Sequence, residues 1–248
     1  DGHRSLFESR SQNRKGLLMW MSHSCWPSMV WQTYDYYFEP TAAYFAIKKA
    51  SEPLHIQWNP ATDEVEVVNY SAGTHKGLTA KVQVLNMDAS VAWEKETTVD
   101  SNEDTTDKCI KLEFPENLSK VHFIKMTLTE DGKVVSDNFY HRSLEENNYQ
   151  DLCQLAKVAL QSATTVDKNA DGTWSAVSVI ENKTSTPALM IRLNVVDGKD
   201  DQQILPVFYS DNYFSLLPGE KKEVRMSWRD EDTRGNEGKV LITGYNVE

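Results

Sequence analysis

Apolar and polar residues alternate along most of the chain after about Glu52. Leu78, Ala80, Val82 and Val84 form one such run, followed by Ile110, Leu112 and Phe114, and then by Ile124, Met126 and Leu128. Leu189, Ile191, Leu193 and Val195 make another, and Val224, Met226 and Trp228 the last. A period of two with one apolar face predicts antiparallel strands packed on one side. Asp131-Gly132, Asp171-Gly172, Asp197-Gly198 and Pro218-Gly219 separate the runs as turns. Together they predict an all-β region long enough for two β-sandwiches.

The first fifty residues have a different texture. His3 to Lys15 contains no Gly or Pro and reads as a polar-faced helix. Gly16 and the apolar run Leu17-Leu18-Met19-Trp20-Met21 follow, a candidate strand buried on both faces. Helix, glycine and buried strand make a unit of an α/β layer, not of a sandwich. Nine aromatics lie between Trp20 and Phe45, more than a free-standing segment of this size could bury.

An internal repeat supports two sandwiches. Asn69-Tyr70-Ser71 precedes the strand Leu78 to Leu85, and Asn182-Lys183-Thr184 precedes Leu189 to Val196, with Lys81 matching Arg192. Between the two copies, Leu144 to Leu160 has a spacing of about three, which predicts a helical turn or linker and a boundary near Glu146. The predicted domains are 1–51, 52–146 and 147–248.

Lys and Arg number 26 against 37 Asp and Glu, a net charge of −11, and the excess acid lies after residue 60. This argues against a nucleic-acid partner. The longest apolar run is far short of the roughly 20 residues a membrane helix needs, so no membrane partner is expected. Residue 1 is Asp, so a removed leader or a longer parent chain is expected. Cys25, Cys109 and Cys153 share no metal or redox spacing and are read as buried thiols.

Several motifs, taken in order, resemble glycoside hydrolase family 2, in the branch of exo-β-D-glucosaminidases and mannosylglycoprotein endo-β-mannosidases. They are Leu18-Met19-Trp20-Met21, Cys25-Trp26-Pro27-Ser28, Trp31-Gln32, Asp35-Tyr36-Tyr37, Ala43-Tyr44-Phe45 and Lys48 to His55. A second block runs from Leu205 to Glu220, and Gly244-Tyr245-Asn246 completes the pattern. The resemblance implies a mainly β fold: two immunoglobulin-like β-sandwich domains preceded by the last helix and strand of a (β/α)8 barrel. It implies that the parent enzyme cleaves β-linked glucosamine or mannose with two Glu residues on earlier barrel strands. No catalytic residue is therefore assigned here, and Glu8, Glu39 and Glu52 are not substitutes. It implies a substrate-binding role for Trp26, with a core tryptophan as the competing reading, and places Asp35 and Tyr36 at the barrel exit. The family shows Asn where this chain has Ser22-His23-Ser24, which leaves the choice of sugar open.

The expected partners are thus a glycan substrate of the parent and the rest of its barrel, in a secreted or periplasmic setting. A stand-alone carbohydrate-binding or adhesin module is the alternative. The barrel piece is expected to pack on the first sandwich or pair with another molecule. No cofactor is assigned, but Asp167, Asn169 and Asp171 match the first half of a calcium loop. Ser178 stands where that loop needs Glu, so a hairpin turn is the preferred reading. Asp211-Asn212-Tyr213 reads as an Asx turn or a projection toward the substrate pocket. Asn69, Asn117 and Asn182 match the glycosylation triplet. Phosphate loops and the zincin and serine-hydrolase motifs are missing from the sequence.

Overall fold

The computed structural model describes residues 17–28, 31–70 and 72–248. The helix expected at His3 to Lys15 lies outside them. Two compact units emerge, one built on Ala46–Gln154 and the other on Leu155–Glu248 together with Met21–Phe45. The mainly β structure, with two pairs of sheets, is what the alternating runs predicted, and its immunoglobulin-like character is what the resemblance implied.

In the first unit a three-stranded sheet is formed by β1 (Leu54–Asn59), β2 (Glu64–Asn69) and β5 (Thr105–Lys111). A four-stranded sheet has the order β4-β3-β6-β7, from β3 (His75–Asn86), β4 (Val91–Ser101), β6 (Val121–Glu130) and β7 (Lys133–Ser143). The inward residues Leu78, Ala80, Val82 and Val84 meet Ile124, Met126 and Leu128 across β3 and β6 and pack on Ile56, Val65 and Val67. Every one of these side chains is fully buried, which makes the hydrophobic effect the main force joining the sheets.

Strands β1 and β2 depart from simple alternation, because both of their faces are buried. Their polar side chains are therefore paired internally: Gln57 and Asn59 both donate to the Glu66 carboxylate, at 2.9 and 3.0 Å. The free edge of β1 is completed by side chains of β7. Ile56 N donates to Ser136 Oγ and Trp58 N to Tyr140 OH, both at 3.2 Å, and Asn138 Nδ2 donates to Ile56 O at 3.1 Å. Ser136 Oγ also donates to Glu52, which pairs with Lys49 at 2.8 Å and faces His55 Nδ1 at 3.1 Å. Burial alone would raise the Glu52 pKa, but His55 and Lys49 outweigh it and hold the carboxyl below its ordinary value.

In the second unit β12 (Phe214–Leu216), β10 (Ala188–Asp197) and β14 (Gly238–Thr243) form one sheet. The other has the order β11-β13-β9-β8, from β8 (Gln161–Lys168), β9 (Thr173–Glu181), β11 (Phe208–Tyr209) and β13 (Lys221–Arg229). Ile191, Leu193 and Val195 face Val224, Met226 and Trp228 in its core. Gly238 is required by close approach, since a Cβ there would lie 2.7 Å from Trp228.

Three buried asparagines knit this unit. β10 and β12 pair only at Ala188–Leu216 and Ile191–Phe214, with a register break. Just beyond, Asn212 accepts from Leu193 N at 2.8 Å and donates to Leu193 O at 2.9 Å, replacing a strand neighbour. Asn246 accepts from Leu189 N at 2.9 Å and donates to Ala156 O and Pro187 O at 3.0 and 2.8 Å. Asn182 donates to Thr186 O and Leu216 O and accepts from Thr184 N. The repeat is visible here: in the first unit Asn69 likewise donates to the carbonyl four residues on, Gly73 O at 2.7 Å, and accepts from Ala72 N. Asn69 and Asn182 are fully buried, whereas Asn117 is exposed.

Three expectations need correction. Residues 17–21 form no strand, and Leu18 and Trp20 are exposed. A strand buried on both faces needs neighbours to take its ladder hydrogen bonds, and this stretch continues into only the isolated bridges His23–Tyr34 and Tyr34–Pro40. Of the piece expected to pack on the first sandwich, residues 17–20 and 46–51 do group with that unit, but residues 21–45 group with the second. Cys25 and Cys153 are exposed, and Cys109, half-buried, reaches Val65 O at 3.3 Å. Burial pushes the Cys109 thiol up to about 11.

Asn246→Ala leaves two buried backbone groups, Leu189 N and Pro187 O, without that partner and frees Ala156 O to water. It is expected to destabilise the second unit by about 2–4 kcal/mol in urea titration, against less than about 0.5 kcal/mol for the exposed Asn117→Ala. A second prediction concerns His75, whose Nδ1 lies 2.7 Å from Glu130 and whose Nε2 lies 2.9 Å from Ala72 O. The Glu130 carboxylate raises its pKa above 6.5, so the stabilisation is complete below the unfolded-state value and is lost as pH rises through the folded-state one. The stability gap between wild type and His75→Gln should therefore shrink from pH 6 toward pH 8.5, and a gap that widens would contradict the assignment.

Candidate functional site

Residues 21–45 carry the aromatic density and are held by hydrogen bonds within the segment. Ser22 O accepts from Tyr34 N and from Thr33 Oγ1, both at 3.0 Å. Thr41 Oγ1 donates to Gln32 O at 2.8 Å, and Thr41 N to Thr33 O at 2.9 Å. Asp35 organises the turn that follows: its carboxylate accepts from Tyr37 N at 2.8 Å and Glu39 N at 2.9 Å, while its own N donates to Glu39 O. Phe38 sits in the turn at φ +67°, a left-handed conformation unusual for a bulky residue. The turn presents Tyr36, Tyr37 and Phe38 to solvent. His23 lies flat on Phe38, with ring centroids 4.2 Å apart and planes 10° from parallel.

Helix α1 (Ala42–Ala50) follows directly. Lys48 and Lys49 occupy its last turn, where positive charge suits the helix dipole. Within the second unit, Phe45 packs against Tyr209 at 6.2 Å and Tyr213 at 5.9 Å, and Glu39 forms an ion pair with Arg192 on β10. Tyr213 is also left-handed, at φ +56°, directly after the Asn212 side chain that fixes its backbone. Burial raises the tyrosine pKa values here, and carries Tyr209 up to about 12. Asp211 pairs with Lys222, whose ammonium lies 4.9 Å over Phe214.

Trp26 keeps 67% of its surface exposed, and Trp31 60%. Asp35 and Tyr36 stand in the turn, Asp35 with its carboxylate consumed by backbone amides. Of the three glutamates set aside above, Glu39 is paired with Arg192 and Glu52 lies in the Lys49–His55 network, while Glu8 is outside the described residues. Asp167 lies on β8, and Asn169 and Asp171 in the hairpin turn to β9. Asp171 accepts from Thr173 N at 3.0 Å and Thr173 Oγ1 at 2.6 Å, and Asn169 donates to the same hydroxyl. Among the described residues no cluster of three or more His, Cys, Asp or Glu is arranged to hold a metal.

Sequence reasoning picked out Arg192 in the repeat and Tyr213 in the Asx turn, but not their anchoring role, nor that of Tyr209. The available signal was the repeat: Lys81 pairs with Glu94 on the adjoining strand at 3.2 Å, but Arg192 at the matching place reaches a residue 153 positions away. The separation hid the partner.

Residues 138–247 match the family described as exo-β-D-glucosaminidase Ig-fold domain, and residues 63–143 the one described as mannosidase Ig/CBM-like domain. Fold and matches define the class: these are immunoglobulin-fold domains of the exo-β-D-glucosaminidase and mannosidase type, from glycoside hydrolase family 2. The chain is 32% identical to an exo-β-D-glucosaminidase of Streptomyces avermitilis over 96% of its own length, and spans 29% of that relative. It is 24% identical to the mannosylglycoprotein endo-β-mannosidase of Lilium longiflorum, covering 93% of this chain and 30% of that one. Among solved structures it is similar to the exo-chitosanase of Amycolatopsis orientalis, with a TM-score of 0.90 and 29% identity over 99% of this chain and 32% of that one. The relatives are thus about three times longer.

Because Asp171 already satisfies the backbone of its turn, calcium should add nothing to stability. The melting temperature is expected to be the same in excess calcium and in chelator, and a rise of several degrees with calcium would reveal a bound ion.

Proposed function

We propose that this chain is the non-catalytic immunoglobulin-fold part of a secreted or periplasmic family 2 glycoside hydrolase. The full-length enzyme removes β-linked glucosamine or mannose residues. The relatives named exo-β-D-glucosaminidase favour glucosamine as the sugar. The observation that carries the reading is the segment 21–45, which is joined to the second sandwich through Glu39–Arg192 and Phe45 while Trp26 and Trp31 remain open. In this reading residues 1–51 close a (β/α)8 barrel, the exposed aromatics meet sugar or barrel, and the sandwiches buttress that wall.

Retaining hydrolysis needs an acid/base and a nucleophile about 5 Å apart. Glu39 and Glu52 are tied to basic partners, and the resemblance to family 2 implies that the catalytic pair lies on earlier barrel strands of the parent chain. Exposed aromatics could equally serve a stand-alone carbohydrate-binding module, and the two readings differ in catalysis. Hydrolysis of p-nitrophenyl β-glucosaminide and β-mannoside is therefore measured for this chain beside the full-length protein. Turnover is expected from the full-length protein only, fastest on the β-glucosaminide. Turnover by the chain alone would overturn the proposal, and glycan binding without turnover by either protein would establish the binding module.

A further inference from the structure

We infer that Arg192 and Tyr213 are positioning residues for substrate binding, acting through Glu39 and Phe45 to hold the segment that carries Trp26. The inference rests on the reading of Trp26 as part of the sugar subsite.

Three observations support it. First, the described part of the segment has no strand ladder of its own, only the isolated bridges His23–Tyr34 and Tyr34–Pro40, so its place depends on what it docks against. Second, the docking contacts converge on β10 and the loop before β12. Arg192 and Glu39 are both largely shielded, with side-chain exposures of 31% and 17%, and Phe45 packs on Tyr209 and Tyr213. A shielded Arg–carboxylate pair fixes geometry better than a solvated surface pair. Third, Tyr213 adopts φ +56°, which disfavours a side chain of its size. Asn212 holds that backbone in place by its two bonds to Leu193, and the result is a tyrosine ring directed at Phe45. A turn optimised for stability alone would carry glycine at such a φ.

The anchors are linked to Trp26 step by step. Arg192 holds Glu39, and Glu39 is joined to Asp35 by bonds in both directions. Tyr34, next to Asp35, bridges Pro40 on one side and His23 on the other, and its N donates to Ser22 O. Trp26 is three residues beyond His23. Releasing Glu39 therefore loosens the base on which Trp26 stands, although Arg192 itself touches no sugar.

The test uses the full-length hydrolase with p-nitrophenyl β-glucosaminide. Aromatic stacking is worth about 0.5–1.5 kcal/mol, so Arg192→Met is expected to raise KM by roughly 2–10-fold with kcat changed by less than about twofold. The charge swap Arg192→Glu with Glu39→Arg should restore KM. Tyr213→Gly relieves the left-handed backbone but removes the ring packed on Phe45, so its KM should rise with a melting temperature lowered by only a few degrees, the protein still folded at the assay temperature, which separates positioning from unfolding. Trp26→Ala should raise KM similarly, and adding Arg192→Met to it should add little. An unchanged KM in Arg192→Met beside a raised KM in Trp26→Ala would overturn the inference and leave the subsite reading intact. An unchanged KM in Trp26→Ala would overturn the subsite reading and the inference with it.

Discussion

A buried backbone amide or carbonyl must find a partner, and the places where these sheets stop pairing decide how both units are built. β10 pairs with β12 at two positions only, and among the described residues β1 has no strand neighbour on one side. Side chains fill both gaps. Asn212 bonds both Leu193 N and Leu193 O as a strand would, Asn246 accepts from Leu189 N, and Ser136, Asn138 and Tyr140 of β7 bond the free edge of β1. The apolar core supplies the driving force, but it is non-directional. These bonds choose one register and hold the sheets in it.

The same amides explain much of what distinguishes this sequence from a generic sandwich. Gly244-Tyr245-Asn246 belongs to the recognisable pattern because Asn246 ties three backbone groups together. Gly244 beside it leaves no room for a Cβ, which would lie 2.6 Å from Val247. Asn69 and Asn182 recur because each shapes the turn that launches the long strand of its unit. That role sets them apart from glycosylation triplets, since both side chains are buried and a glycan needs an exposed asparagine.

How much was legible follows from the range of the interactions. The runs at Leu78–Val84 and Leu189–Val195 declare strands because alternation is local, and Asp171-Gly172 declares a hairpin because turn chemistry is local. Leu17–Met21 misled for a related reason: an apolar run reports that burial is wanted, not that neighbours are within reach. The aromatic surplus of residues 20–45 was legible as a count, but its anchoring was not. Glu39 and Arg192 are polar residues in unremarkable contexts, and only the fold brings them together.

Segment 21–45 and the second sandwich also show how a segment with only isolated bridges is held by the strands beside it. Its own bonds shape the segment locally, with Asp35 bonding two amides to turn Tyr36, Tyr37 and Phe38 outward. Its place is set by β10, which is among the best-buried strands of its unit and carries Arg192 on its outward side. A contact made by a rigid strand transmits position well, because a packed core yields little to displacement. The left-handed Tyr213 fits that logic, since its conformational cost is sustained by the Asn212 bonds to the same strand. Core, surrogate amide, left-handed tyrosine and aromatic segment are thus joined by one continuous series of contacts within the second unit.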